Sequence, residues 1–202
     1  MPHIMLSTYI FDCKVCHTRC DGKSKSVYLF ENDAAFSEKF EQMIIERINQ
    51  SEIYHAQKCN EPGFPDVAVY DKNGHLLNYV EVKVQQRTFM TISNALPNSN
   101  LLPSETVALN LSDLLRYFRI FEETKIPTSI VWVLLGRPCI IIDKPYLFFF
   151  QRIHRLRDIY FTNGDKRRFR RKSGEGDIVN GEHKGVTVNY HFSLKEMIEW
   201  KG

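Results

Sequence analysis

Pro65-Asp66 and Glu81-Val82-Lys83 bring two carboxylates and an ammonium into a short stretch, with fourteen residues between Asp66 and Glu81. Side chains alternate along a strand, so Glu81, Lys83 and Gln85 project from one face and Val80, Val82 and Val84 from the other. The valine face can pack in a core while the polar face gathers charge. Between the two groups lies Asn73-Gly74, a strong local hairpin signal. A hairpin turning there returns Asp66 to the Glu81 end of its partner arm. Carboxylate oxygens are hard ligands, and two of them with open water positions suit Mg²⁺ or Mn²⁺, ions that take phosphate oxygens as further partners.

The elements around this group follow from periodicity. Asn32 or Asp33 is placed to cap a helix over 33–50 whose apolar residues Phe36, Phe40, Met43, Ile44 and Ile48 share one face, with Glu41 at its edge. Strands are expected over 52–57, 66–71 and 76–85, with an Asn, Pro and Gly-rich turn at 60–63. Pro97 and Pro103 argue against regular structure in the long connection 86–111. Ser112 is placed to cap a second helix over 113–123 with Leu114, Leu115, Phe118 and Phe121 inward, and the apolar, β-branched run 129–135 suits a buried central strand. The expected fold is thus α/β, a mixed α+β sheet with the order αβββαβ. Further strands are expected over 139–142, 146–150 and 185–192, and Ser193-Leu-Lys-Glu196 carries the capping-box pattern that opens a short final helix.

The Pro-Asp, Glu-x-Lys pattern on a hairpin after a Glu-bearing helix resembles the PD-(D/E)xK signature of restriction-endonuclease-like nucleases, and the likeness covers about half the chain. The resemblance implies that Asp66 and Glu81 bind a divalent metal together with the backbone carbonyl of Val82, and that Lys83 positions or activates the attacking water. It also offers Glu41 as an additional acid and Gln85 as a polar neighbour. The implied activity is Mg²⁺-dependent (or Mn²⁺-dependent) hydrolysis of DNA phosphodiesters to 5′-phosphate and 3′-hydroxyl ends. Sequence-specific restriction cleavage of double-stranded DNA by a homodimer is the leading form. A repair or junction-resolving nuclease, or a non-catalytic DNA-binding module of the same fold, is the alternative.

Outside this core, Cys13-x-x-Cys16 between two short strands has zinc-knuckle spacing, with Cys20 and Cys59 available to complete a four-sulfur site and His17 and His55 as substitutes. A structural zinc is expected; an iron–sulfur cluster and plain reduced thiols are the other readings. The net charge of +3 conceals a concentration of positive charge, because residues 151–172 hold nine Lys/Arg against two Asp/Glu. Within it, residues 166–172 place six cations in seven positions, and Arg167, Arg168, Arg170 and Arg171, together with Arg87 after the hairpin, are expected to contact DNA. The expected organisation is a Cys-rich hairpin at 1–32 closed by 55–59, a nuclease core at 33–150 and a basic extension at 151–202. No apolar run approaches the ~18 residues of a membrane span and no signal peptide is read, so a cytoplasmic protein working beside DNA is expected.

Overall fold

A computed structural model describes residues 30–85, 88–135, 145–170, 178–179, 182–183 and 188–201. The elements in chain order are α1 (Phe30–Asn49), β1 (Tyr54–Lys58), β2 (Val67–Asp71), β3 (Leu76–Gln85), a single turn α2 (Ile92–Ala95), β4 (Thr106–Asn110), α3 (Leu111–Thr124), β5 (Thr128–Leu134), β6 (Leu147–Arg152), α4 (Ile153–Asn163), β7 (Arg168–Arg170), the two-residue strands β8 (Ile178–Val179) and β9 (Glu182–His183), β10 (Val188–Ser193) and β11 (Ile198–Glu199). The main sheet is mixed, in the order β1-β2-β3-β5-β6-β11, with β3 and β5 parallel and the other neighbours antiparallel. A parallel pair needs a crossover, and the segment carrying β4 and α3 supplies it. The mixed α+β architecture and the αβββαβ order of the main sheet are therefore both present.

The sheet is buried on both faces. Val67, Val69, Val80, Val82, Val131, Val133 and Phe148 pack under Phe40 and Ile44 of α1. On the opposite face Ala68, Tyr79, Ile130, Trp132, Leu134 and Phe149 meet α3, α4 and the strands β4 and β10. This two-sided cover explains why β5 reads as a continuous apolar run. The end of α1 also closes the β1 edge, where the Asn49 amide donates to the Ala56 carbonyl at 3.0 Å and accepts from its N–H at 2.6 Å.

Several expectations are corrected. The first helix begins at Phe30, so Asn32 and Asp33 lie in its first turn. The N-cap of α3 is Asn110 rather than Ser112, and its inward residues include Tyr117, whereas Leu115 is exposed. Of the turn residues only Gly74 has positive φ (80°). Asp71 Oδ1 instead accepts the N–H groups of Asn73 and His75 at 2.8 Å each, making a three-residue loop with glycine in the left-handed position. The connection after β3 contains strand β4, which pairs with β10 to form a second sheet, β4-β10-β7. The boundary at 150/151 falls inside β6, α4 buries Ile153, Leu156 and Ile159, and β11 completes the main sheet, so α4 and β11 of 151–202 belong to the core architecture. The capping box is present, with Ser193 and Glu196 bonding each other's backbone, but it opens a three-residue 3₁₀ turn. The strand expected at 139–142 lies outside the described residues.

Candidate active site

Strand pairing brings the acidic residues together. Val67 faces Val80 in the β2–β3 ladder, so Asp66, one step beyond the end of β2, stands opposite Glu81. The Asp66 Oδ2 continues the ladder in place of a backbone carbonyl, accepting the Val82 N–H at 2.8 Å, while the Asp66 carbonyl accepts the Cys59 N–H at 2.8 Å. Backbone groups on both sides thereby fix this residue, and the Val82 N–H holds its carboxylate. Glu81 is 2% exposed and accepts from the Lys83 ammonium, which reaches it along the shared strand face.

Burial raises the Asp66 carboxyl above its ordinary range; the Val82 N–H and Lys83 oppose that, and Glu41 adds to it. Burial likewise raises Glu81, with Lys83 opposing and the Asp66 charge reinforcing. Desolvation works to lower the Lys83 ammonium, but Glu81, Asp113 and Asp66 outweigh it and hold Lys83 above the usual lysine value. The arrangement is a desolvated carboxylate pair braced by one cation.

Two helices complete it. From α1, Glu41 is half-buried at 3.6 Å from Lys58, which also pairs with Glu38 at 2.9 Å. From α3 come three residues that periodicity alone did not single out. Asp113 Oδ2 lies 3.9 Å from Lys83 Nζ, Asp113 Oδ1 lies 2.9 Å from Arg116 Nη2, and Arg116 Nη2 donates to the Tyr117 hydroxyl at 3.3 Å. Burial first, then the nearby Glu81 charge, pushes the Tyr117 hydroxyl pKa far upward. The spacing of 113, 116 and 117 on one helical face, in the crossover between β3 and β5, was the available signal.

The donor set fits a divalent cation. Two carboxylates that burial raises in one desolvated cleft carry an excess of negative charge that such an ion relieves. Among the described residues no three His, Cys, Asp or Glu side chains already enclose a metal position. Asp66, Glu81 and the Val82 carbonyl would therefore hold the ion with water completing its shell, the manner of Mg²⁺ rather than of a closed structural site.

The other expected residues are distributed differently. Gln85 shares the strand face, yet its amide donates to the Ala108 carbonyl of β4 at 3.4 Å, turned to the second sheet. Cys59 is a free, half-buried thiol against the core, and Cys13, Cys16, Cys20 and His17 lie outside the described residues. Arg167 is a correction: it is buried, and its Nη1 donates to both Glu196 oxygens at 2.9 and 2.7 Å, so it braces the fold and is not offered to a phosphate. Arg168 and Arg170 are exposed and alternate with the half-buried Phe169 on β7, while Arg87 and Arg171 lie outside the described residues. No helix among the described residues is long and apolar enough to cross a membrane.

No family model matches the chain, and no curated protein matches it by sequence. Among solved structures, Hjc, a Holliday junction resolvase from the archaeal hyperthermophile Archaeoglobus fulgidus, is similar at a TM-score of 0.43 and 9% identity, over 81% of this chain and 91% of that one. D212, a nuclease from a fusselovirus, is similar at a TM-score of 0.38 and 6% identity, over 84% of each chain.

Proposed function

We propose that this chain is a divalent-metal-dependent DNA endonuclease whose active site is Asp66, Glu81 and Lys83, with Glu41 assisting from α1. The observation that carries this reading is the register that sets Asp66 opposite Glu81 on a strand that also presents Lys83. Asp66, Glu81 and the Val82 carbonyl would hold the ion, which would supply polarisation of the phosphate and acidification of a bound water. Lys83 donates to the attacking water or to a phosphate oxygen, and Glu41 adds negative charge beside the ion. Water attacks phosphorus, the P–O3′ bond breaks, and the 3′ oxygen leaves as a hydroxyl. A DNA-binding module without catalysis would gain nothing from burying two carboxylates beside a phosphate.

The deciding test is incubation of the chain with circular duplex, linear duplex and a four-way junction, each with Mg²⁺, with Mn²⁺ and with EDTA. Metal-dependent cutting of any of these establishes the nuclease. Discrete fragments from duplex mark restriction-type specificity, and symmetric nicks at the junction mark a resolvase. Either of the last two outcomes is expected of a two-fold dimer, which sedimentation measures. No cleavage of any substrate overturns the reading.

Two further expectations belong to it. The exposed Arg168 and Arg170, with Arg171, track phosphates, so their combined replacement by Ala should weaken binding to all sequences alike. The slope of log affinity against log salt should flatten by about one unit per lost contact. A binding titration at several salt concentrations checks this, and an unchanged slope rejects it. Cys13, Cys16, Cys20 and Cys59 hold about one zinc per chain by thiolate ligation. Elemental analysis of protein purified without added metal should find zinc, and finding none, or iron with visible absorbance, removes this part of the proposal.

A further inference from the structure

A chain of ion pairs joins β3 to α3. Lys83 reaches Glu81 along the strand face they share, and its Nζ lies 3.9 Å from Oδ2 of Asp113 in the first turn of α3. The other Asp113 oxygen, Oδ1, is 2.9 Å from Arg116 Nη2, one turn further along the helix. Arg116 Nη2 also donates to the Tyr117 hydroxyl at 3.3 Å, and the guanidinium lies 5.1 Å from the centre of the Tyr117 ring. The aliphatic stem of Arg116 packs beside Gly63, whose φ of +83° belongs to the loop leading into Asp66. One carboxylate therefore bridges two cations, and the cation on its far side is itself held in place.

We propose that Asp113 is a positioning residue for Lys83, holding its ammonium in place while Glu81 is engaged with a divalent cation. The inference rests on the nuclease reading above. A lysine has four side-chain torsions and three N–H donors, and it keeps one orientation only where fixed acceptors meet it. Glu81 is such an acceptor, but it is also a ligand of the ion, and an ammonium and a divalent cation repel each other across a shared carboxylate. Among the described residues, Asp113 is the other carboxylate paired with Lys83, and it lies outside the proposed ligand set. With Glu81 and Asp113 each facing one N–H, the third remains for a water or a phosphate oxygen. The anchor is firm, because Asp113 sits where free N–H groups at the helix start favour a negative side chain, and its neighbour Leu114 is fully buried. At 3.9 Å the contact is Coulombic rather than a hydrogen bond, so it depends on the charge of Asp113 more than on its exact reach.

The test compares Asp113→Asn with Asp113→Glu in the full chain. Asparagine keeps an oxygen for Arg116 and removes the charge, whereas glutamate keeps the charge. Asp113→Asn is expected to lower kcat for DNA cleavage by about 10-fold with KM little changed, and Asp113→Glu to stay within about 3-fold of wild type. Mn²⁺ binding without DNA, measured by calorimetry, should be unchanged in both, which separates a residue that positions Lys83 from one that ligates the ion. Melting in EDTA reads the pair without catalysis. Asp113→Asn should lower the melting temperature in the wild-type background but not in Lys83→Ala, where its partner is gone. Asp113→Ser, with a side chain suited to a helix start, carries the same measurements if Asp113→Asn fails to fold. Full kcat in the folded Asn variant, an equal loss of kcat in Asp113→Glu, equal melting shifts in both backgrounds, or Mn²⁺ binding weakened by about 10-fold each overturns the positioning role and leaves the nuclease assignment standing. A wild-type chain that cuts no DNA overturns both.

Discussion

Asp66→Ala, Glu81→Ala and Lys83→Ala should each lower metal-dependent DNA cleavage by about 10²–10³-fold or more, while the chain remains folded. Each removes charge or a donor aimed at the position where the phosphate reacts, and none removes apolar area from either face of the sheet. The Asp66 site also allows a sharper expectation, because stability and activity should move in opposite directions. Burial raises its carboxyl above the ordinary value, so ionised Asp66 at neutral pH opposes folding, and that cost is relieved as pH falls through the raised value. Asp66→Asn keeps an oxygen to accept the Val82 N–H and removes the charge. In metal-free buffer at pH 7 its melting temperature should therefore exceed wild type by about 2–4 °C for about 1 kcal/mol, even as cleavage is lost. Melting scans in EDTA and cleavage in Mg²⁺ measure the two halves. Wild-type turnover in all three alanine variants would falsify the site, and a lower melting temperature in Asp66→Asn would show that the aspartate is structural.

The parts of the molecule legible in the sequence are those fixed by local rules. Period-2 alternation placed Glu81, Lys83 and Gln85 on one face of β3. The Asn73-Gly74 loop placed Asp66 opposite Glu81 even though the turn proved to have three residues, because hairpin pairing still returns the chain to the same partner strand. The box from Ser193 to Glu196 is likewise local chemistry. What remained hidden depends on distant partners. Strand β4 is five residues after a proline-containing stretch, and only its pairing with β10, near the other end of the chain, makes it a strand. The apolar spacing of Ile153, Leu156 and Ile159 in α4 was outweighed by the density of arginines around it, although arginine is a good helix former. Arg167 has the same residue type and setting as its neighbours, and only the approach of Glu196 from the capping box turns it inward. Asp113 looked like an ordinary helix residue because Lys83, which it approaches at 3.9 Å, lies on another element.

Acid should destabilise the fold through one histidine, and the effect should be separable from that of the carboxylates. His191 on β10 is 2% exposed, lies edge-on to the rings of Phe89 and Phe169, and is within 3.3 Å of the Arg167 carbonyl through Nδ1. Burial lowers its pKa from 6.5 to about 4; the Arg167 carbonyl opposes that shift without overcoming it. The ring is therefore neutral in the folded state at neutral pH, with Nδ1–H donating to that carbonyl. Between pH 6.5 and 4 the unfolded chain binds a proton that the folded one refuses, so stability is full above 6.5 and declines as pH falls through this window. At about 1.4 kcal/mol per pH unit, the loss by pH 4 reaches about 3 kcal/mol. Asp66 and Glu81 have raised values and contribute with the opposite sign, gaining stability as pH falls. The measurement that isolates the histidine is thus a difference between wild type and His191→Phe, which keeps an aromatic ring between Phe89 and Phe169 but cannot titrate. Denaturant unfolding in metal-free buffer at pH 8, 6.5, 5.5 and 4.5 should show His191→Phe less stable than wild type at pH 8 by about 1 kcal/mol, for the hydrogen bond to the Arg167 carbonyl. The gap should close and then reverse as the pH drops. Parallel pH profiles in the two proteins would mean that His191 is solvated in the folded chain.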